Sequence, residues 1–148
     1  MKDEFGKSMS TNDEQTNDHV GETSRVRKRS NESPPQDLRV RTKQYGLRIV
    51  RLYVALPKRA EGEVIGKQVL RSRTSVGAHY REAYRAKSGP DFVNKMQGAL
   101  QELDETAYWL ELLEESGLVA VAKLKALRDE TDELLAIFVS IVKKVKSR

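Results

Sequence analysis

The chain has 148 residues, of which 38% are hydrophobic and 33% are charged, and it contains nine glycines and four prolines. This length suits one domain with a single core, and so few glycines and prolines favour helices over a β-sandwich, which needs frequent turns. The absence of cysteine excludes disulfides, thiolate metal sites and cysteine catalysis. No apolar run approaches the ~20 residues that span a bilayer, and the first ten residues are too polar for a signal peptide. We therefore expect a cytoplasmic protein that does not engage membranes.

The net charge of +5 conceals an uneven distribution along the chain. Residues 1–37 hold six basic and eight acidic side chains, whereas residues 39–87 hold thirteen basic and three acidic ones. Residues 91–133 reverse this balance, with four basic and eleven acidic side chains. The basic segment is therefore the candidate surface for a negatively charged partner.

Residues 1–36 form a polar segment that ends in Ser33-Pro34-Pro35 and is poor in aromatic residues. Such a composition buries too little apolar area to offset the entropy of ordering, so we predict a disordered tail. Its basic run, Arg25 to Arg29, is typical of a nucleic-acid arm or of a solvated linker. The acidic residues around it favour the linker.

Residues 37–148 contain four segments with helical periodicity. The first begins after Asp37, a credible N-cap, and runs to about Leu56, where Pro57 stops it. The second runs from about Ala60 to Ala86. Their predicted core residues are Leu38, Tyr45, Ile49, Leu52 and Leu56 in the first, and Ile65, Val69, Ser72, Val76, Tyr80 and Ala83 in the second.

The third helix is expected to begin at a capping box, with Ser88 as the cap and Asp91 three residues later, and to end at Gly117. The fourth runs from about Val119 almost to the end. Their predicted core residues are Phe92, Met96, Ala99, Leu103, Thr106, Leu110 and Leu113, followed by Leu124, Leu127, Thr131, Leu134, Leu135, Phe138, Ile141 and Val145. Long helices joined by short connections alternate in direction. The sequence therefore predicts an all-α, antiparallel up-down-up-down four-helix bundle.

Several motifs fall in order along this bundle. Helix two carries IGKQVLRSRTSVGAHYREA at residues 65–83, after Leu56-Pro57-Lys58. Helix three adds Asp91-Phe92, Ala99-Leu100 and Glu105-Thr106-Ala107-Tyr108-Trp109-Leu110. Over about residues 38–145, this pattern closely resembles the four-helix-bundle family of proteins encoded in intervening sequences of bacterial 23S rRNA genes. It departs from that family at His79, where asparagine is usual, and in its longer N-terminal segment.

The resemblance implies a bundle subunit that forms a ring-like homo-oligomer, expected to be a pentamer, without known catalysis. A more distant similarity is to the accessory protein of diversity-generating retroelements, a basic barrel that engages nucleic acid. We accordingly expect copies of the chain itself, and RNA or DNA, as partners. No cofactor or small-molecule substrate is expected.

Basic residues of helix two form a ridge opposite its core residues. At 100° per residue, the side chains of Lys67, Arg71, Arg81 and Arg85 fall within about 80° of one another and extend over about 27 Å. Helix one adds Arg41, Arg48 and Arg51. We take Lys67, Arg71, Arg81, Arg85, Arg48 and Arg51 as candidate phosphate contacts, with a solvated cationic face as the alternative. Surface aromatics that stack bases are not expected, so binding would depend on backbone or shape.

Helix one carries more apolar surface than a bundle core requires. Val40, Leu47 and Val54 recur every seven residues on a face roughly 140° from the core stripe. In helix three, Trp109 and Leu112 also lie off the stripe. These five residues are the predicted oligomer interface, because monomers seldom expose such patches. The alternative is that neighbouring helices cover them.

The sequence motifs give little support for a catalytic site or a metal site. A di-metal carboxylate site needs Glu-x-x-His motifs, whereas His79-Tyr80-Arg81-Glu82 has the reverse order and occurs once. A single histidine within the bundle is a poor basis for a triad, and we expect His79 to make a boundary hydrogen bond. The sequence thus predicts a non-enzyme that binds nucleic acid. The alternative is a scaffold whose basic surface serves contacts between subunits or with a partner protein.

Overall fold

The structure is a computed structural model, and it describes residues 37–148. The predicted disordered tail, residues 1–36, lies outside the described residues. Four helices make up the described part: α1 (Leu38–Ala55), α2 (Ala60–Tyr84), α3 (Gly89–Glu115) and α4 (Val121–Lys146). The short connections make successive helices antiparallel, so the predicted four-helix bundle is confirmed.

Local signals set the helix ends. The Asp37 carboxylate accepts a hydrogen bond from the Arg39 backbone N–H at 2.9 Å, which caps α1. The Ser88 hydroxyl accepts one from the Asp91 N–H at 3.2 Å, and Asp91 in turn accepts from the Lys87 N–H. After α3, Gly117 adopts a φ of 73°, the left-handed conformation that glycine tolerates best. The predicted caps are therefore confirmed.

The core is formed by apolar side chains from all four helices. Its buried hydrophobic residues are Tyr45, Ile49, Leu56, Val69, Val76, Ala83, Met96, Ala99, Leu103, Leu110, Leu113, Leu124, Leu127, Leu134, Phe138 and Val142. Most of them lie on the predicted stripes. Near the end of α4, Val142 rather than Val145 is buried, because Val142 follows Phe138 by one helical turn.

The helices pack unevenly around this core. α2 and α3 share the most extensive contact, and α1 packs mainly on α2, whereas α1 and α4 approach each other at few positions. The Arg41 guanidinium closes part of this seam, lying 2.8 Å from one oxygen of Glu130 and 3.0 Å from Glu133. Tyr45 and Thr131 also share a hydrogen bond across it. Ion pairs and a hydrogen bond therefore supplement the apolar contact between α1 and α4.

Candidate functional site

Two of the four cations on the predicted ridge are engaged in ion pairs. Lys67 Nζ lies 2.8 Å from a Glu63 carboxylate oxygen one turn earlier, and this hydrogen bond raises the pKa of Lys67. Arg71 Nη2 lies 3.1 Å from Glu105 Oε2 of α3, which also accepts a hydrogen bond from Ser72. This half of the ridge is partly neutralised and less available to a phosphate.

Arg81 and Arg85 form the other half of the ridge. No carboxylate of residues 37–148 lies within ion-pair distance of either side chain. Both line a groove of about 460 Å³ between the start of α1 and the end of α2, the α1/α2 groove. Its lining residues are Asp37, Arg39, Val40, Lys43, Arg81, Tyr84 and Arg85.

The α1 wall of this groove adds positive charge. Arg39 is bound to Asp37 at 3.1 Å, a hydrogen bond that raises the pKa of the arginine, and its guanidinium lies 4.5 Å from the ring centre of Tyr84. Lys43 has no carboxylate partner among the described residues. Counting only residues 37–148, the groove therefore combines one ion-paired cation, Arg39, with three that have no carboxylate partner, Lys43, Arg81 and Arg85.

Arg48 and Arg51 do not line the α1/α2 groove. They line a second groove of about 460 Å³, the α1/α4 groove, between the end of α1 and the start of α4, where Lys123 joins them. None of these three cations pairs with an acidic side chain in the part of the chain that the structure describes. The six candidate phosphate contacts are thus divided between two grooves and one neutralised stretch of α2.

The predicted apolar face of α1 is open to solvent. Val40 is 53% exposed, Leu47 is 38% exposed and Val54 is 76% exposed, and Val50 beside them is 39% exposed. These four residues, the α1 apolar face, are not covered by the neighbouring helices. By helical phase they point between the α1/α2 groove and the α1/α4 groove.

The two α3 residues of the predicted interface are less accessible. Trp109 is half-buried against the core, with its ring centre 5.0 Å from that of Tyr108, and Leu112 is also half-buried. The Trp109 indole N–H has no hydrogen-bond partner among the described residues. The apolar surface of α3 is therefore smaller than that of α1.

Within residues 37–148, no three His, Cys, Asp or Glu side chains lie close enough together to hold a metal ion. In the same region, no helix combines the length and hydrophobicity needed to cross a membrane. His79 lies at the core boundary as predicted, but its Nδ1 makes no hydrogen bond within the described part.

The family described as 23S rRNA-intervening sequence protein matches residues 36–140. The chain belongs to this family. It is also similar to a crystal structure from Bacteroides thetaiotaomicron, described as a protein of unknown function from the S23 ribosomal protein family. The two share 37% identity over 72% of this chain and 99% of the other, with a TM-score of 0.68. No curated protein shows significant similarity to the chain.

This intervening-sequence protein exposes aromatic side chains that the sequence was not expected to place at the surface. Tyr84 is 61% exposed and Tyr108 is 54% exposed. The expectation of a surface without aromatics was wrong because Tyr84 stands at the last residue of α2, where the core ends. Tyr108 follows Glu105 and precedes Glu111 on the outer side of α3.

The intervening-sequence bundle also buries an arginine that the charge pattern did not single out. Arg73 is 1% exposed, and its guanidinium lies 4.1 Å from the ring centre of Tyr45. It donates hydrogen bonds to Thr106 at 3.1 Å and to Thr131 at 3.5 Å, whereas Nη1 has no partner among the described residues. Burial lowers the pKa of Arg73 to about 9. Its spacing, four residues after Val69 and three before Val76, was the signal that it faces the core.

Proposed function

We propose that this chain is a non-enzymatic bundle subunit that assembles with copies of itself and binds RNA, or another nucleic acid, through the α1/α2 groove. One observation carries the nucleic-acid part of the proposal. Lys43, Arg81 and Arg85 converge on this groove from two helices, with no carboxylate partner in residues 37–148. Free cations in such an arrangement neutralise phosphates, which gives binding that is largely independent of sequence and weakens with salt.

The geometry of the groove suits a phosphate backbone. Arg81 and Arg85 are one turn apart, about 6 Å along the axis of α2, and Lys43 approaches from the facing helix. An extended polyanion therefore meets successive cations as it follows the groove. Arg48, Arg51 and Lys123 provide a second cationic surface on the other side of α1.

Self-association is supported by the α1 apolar face. Four apolar side chains of one helix are at least 38% exposed, and a monomer seldom leaves such a surface uncovered. We propose that a second copy covers this face. The family resemblance implies a pentameric ring, which requires a head-to-tail contact whose rotation closes.

The nucleic-acid proposal is tested by fluorescence anisotropy with a labelled structured RNA at ~50 mM and ~200 mM salt. We expect Arg81→Gln/Arg85→Gln to weaken binding and to reduce the slope of log affinity against log salt by about 2, since two phosphate contacts are lost. The matched control is Lys67→Gln/Arg71→Gln. It removes the same formal charge from the same helix, but from side chains that are already ion-paired.

Two results would contradict the proposal. Absence of binding at ~50 mM salt, or binding that salt does not weaken, excludes phosphate neutralisation as the mechanism. Equal losses in the two double variants would mean that net charge, and not the α1/α2 groove, governs binding.

A second candidate function is a structural scaffold whose basic surface is used in subunit or partner contacts. The observation that favours it is the opposite charge of residues 39–87 and 91–133, which would attract each other between neighbouring copies. This hypothesis predicts that Arg71→Glu or Arg81→Glu dissociates the oligomer. If those variants retain their assembled mass in light scattering while losing nucleic acid, the scaffold hypothesis is wrong.

A further inference from the structure

Tyr84 is the aromatic residue of the α1/α2 groove. It is the last residue of α2 and is 61% exposed, so much of its ring is accessible although the Arg39 guanidinium lies 4.5 Å from its centre. Core aromatics of the same bundle are buried, as Tyr45 is at 1% exposure. The Arg39 guanidinium lies over one face of the ring, but a side chain that is 61% exposed adds little to the core, and the rest of the ring is open to a ligand.

Tyr84 is exposed beside three cationic side chains, and this combination indicates the kind of ligand that the groove could bind. Lys43, Arg81 and Arg85 line the same groove, and no acidic side chain among the described residues pairs with them. A simple anion would require only the cations. A ligand that carries both phosphates and a flat ring would use the cations and the tyrosine together.

We infer that the α1/α2 groove accepts a single-stranded nucleic-acid segment, with one base stacked on Tyr84 and the adjoining phosphates on Lys43, Arg81 and Arg85. The inference rests on the proposed function and adds the type of strand that is bound. A duplex stacks its bases on one another, so their faces are not available to a side chain. Single strands offer those faces, and proteins that bind them combine a cationic groove with aromatic side chains.

The groove also lies beside the proposed interface. Val40 lines the groove and belongs to the α1 apolar face. In an oligomer formed through that face, the bound strand would pass along the edge of the subunit contact. Repeated grooves in one assembly would then strengthen binding to longer strands, because each further contact becomes intramolecular.

The test compares a labelled single-stranded RNA of about ten nucleotides with a blunt duplex of the same sequence, at ~50 mM salt, using the full chain. The variants are Tyr84→Ala, Tyr84→Phe and, as a matched control, Tyr108→Ala. Tyr108 is similarly exposed, at 54%, but lies on the acidic helix α3. Circular dichroism melting verifies that each variant remains folded.

We expect Tyr84→Ala to lose roughly tenfold in affinity for the single strand, the typical loss for one stacked base. Its affinity for the duplex should change little, Tyr84→Phe should retain single-strand binding, and Tyr108→Ala should behave as the unaltered chain. Single-strand affinity that is unchanged in Tyr84→Ala would overturn the inference, and so would an equal loss on the duplex.

The two levels of the proposal fail in different ways. If binding remains salt-sensitive but is indifferent to Tyr84, the single-strand inference is wrong and the phosphate-binding function stands. If the unaltered chain binds neither RNA at ~50 mM salt, the proposed function itself is wrong.

Discussion

Arg73 occupies a polar layer in the middle of the bundle to which each helix contributes one residue. Tyr45 of α1, Thr106 of α3 and Thr131 of α4 surround its guanidinium. No carboxylate of residues 37–148 pairs with it, and with a pKa of about 9 the group still carries its charge at neutral pH. An unpaired buried charge is costly, but its fixed partners also favour a single alignment of the four helices.

Replacing Arg73 should therefore stabilise the subunit. We expect Arg73→Met to raise the free energy of unfolding by about 1–3 kcal/mol, because methionine fills similar space without a buried charge. Urea denaturation at pH 7 measures the change. Arg71→Met is the control, since Arg71 is exposed and should change stability by less than about 0.5 kcal/mol. A less stable Arg73→Met would show that the stacking on Tyr45 and the threonine hydrogen bonds outweigh desolvation.

At the scale of single helices, two glycines differ in backbone conformation: one is left-handed and the other is helical. Gly117 has a φ of 73° just after α3, where any other residue is strained. Gly46 lies within α1, and a Cβ built there meets no atom within 4 Å. The first glycine is required by the turn, whereas the second only weakens its helix.

The same substitution should thus have opposite effects at these two positions. Gly117→Ala is expected to lower the free energy of unfolding by about 1 kcal/mol because of its left-handed backbone. Gly46→Ala should raise it by about 0.5–1 kcal/mol, since alanine loses less backbone entropy in a helix. Thermal melts followed at 222 nm compare the two variants. A stabilised Gly117→Ala would contradict the assigned C-terminal turn of α3.

Much at this scale follows from local sequence signals. The caps at Asp37 and Ser88, the stop at Pro57 and the turn at Gly117 each depend on a few neighbouring residues, so the helix ends were predictable. The burial of Arg73 was not predicted because charged side chains rarely occupy a core, although its position lies on the core face of α2. Tyr84 was missed because exposure at a helix end depends on where the neighbouring helices stop. The division of the cations between two grooves likewise depends on packing between helices.

For the whole molecule, the main asymmetry lies in α1. This helix packs chiefly on α2, touches α4 sparingly and exposes the α1 apolar face, while cationic grooves flank it. A copy that covers the face would bury apolar area that the isolated subunit leaves in water. Assembly and nucleic-acid binding are thus expected to involve adjoining surfaces of the same helix.

Val54→Glu should weaken self-association. The side chain is 76% exposed, so the change should leave the subunit fold intact while placing a charge in the proposed contact. Size-exclusion chromatography with light scattering, on nuclease-treated protein, should show a lower mass than for the unaltered chain. Val121→Glu, at a site 59% exposed on α4, is the control and should keep the assembled mass. Equal masses for all three proteins would exclude the α1 apolar face as the interface.

Trp109 is the single tryptophan of the chain, and it rests half-buried on α3. No residue of α3 lines the α1/α2 groove, so a strand bound there would not touch the indole. Intrinsic emission excited at the red edge of absorption is therefore an unlabelled monitor of α3 itself. A change in its wavelength on adding RNA would mean that the surroundings of Trp109 on α3 have changed, whereas constant emission would leave this part of α3 outside the response.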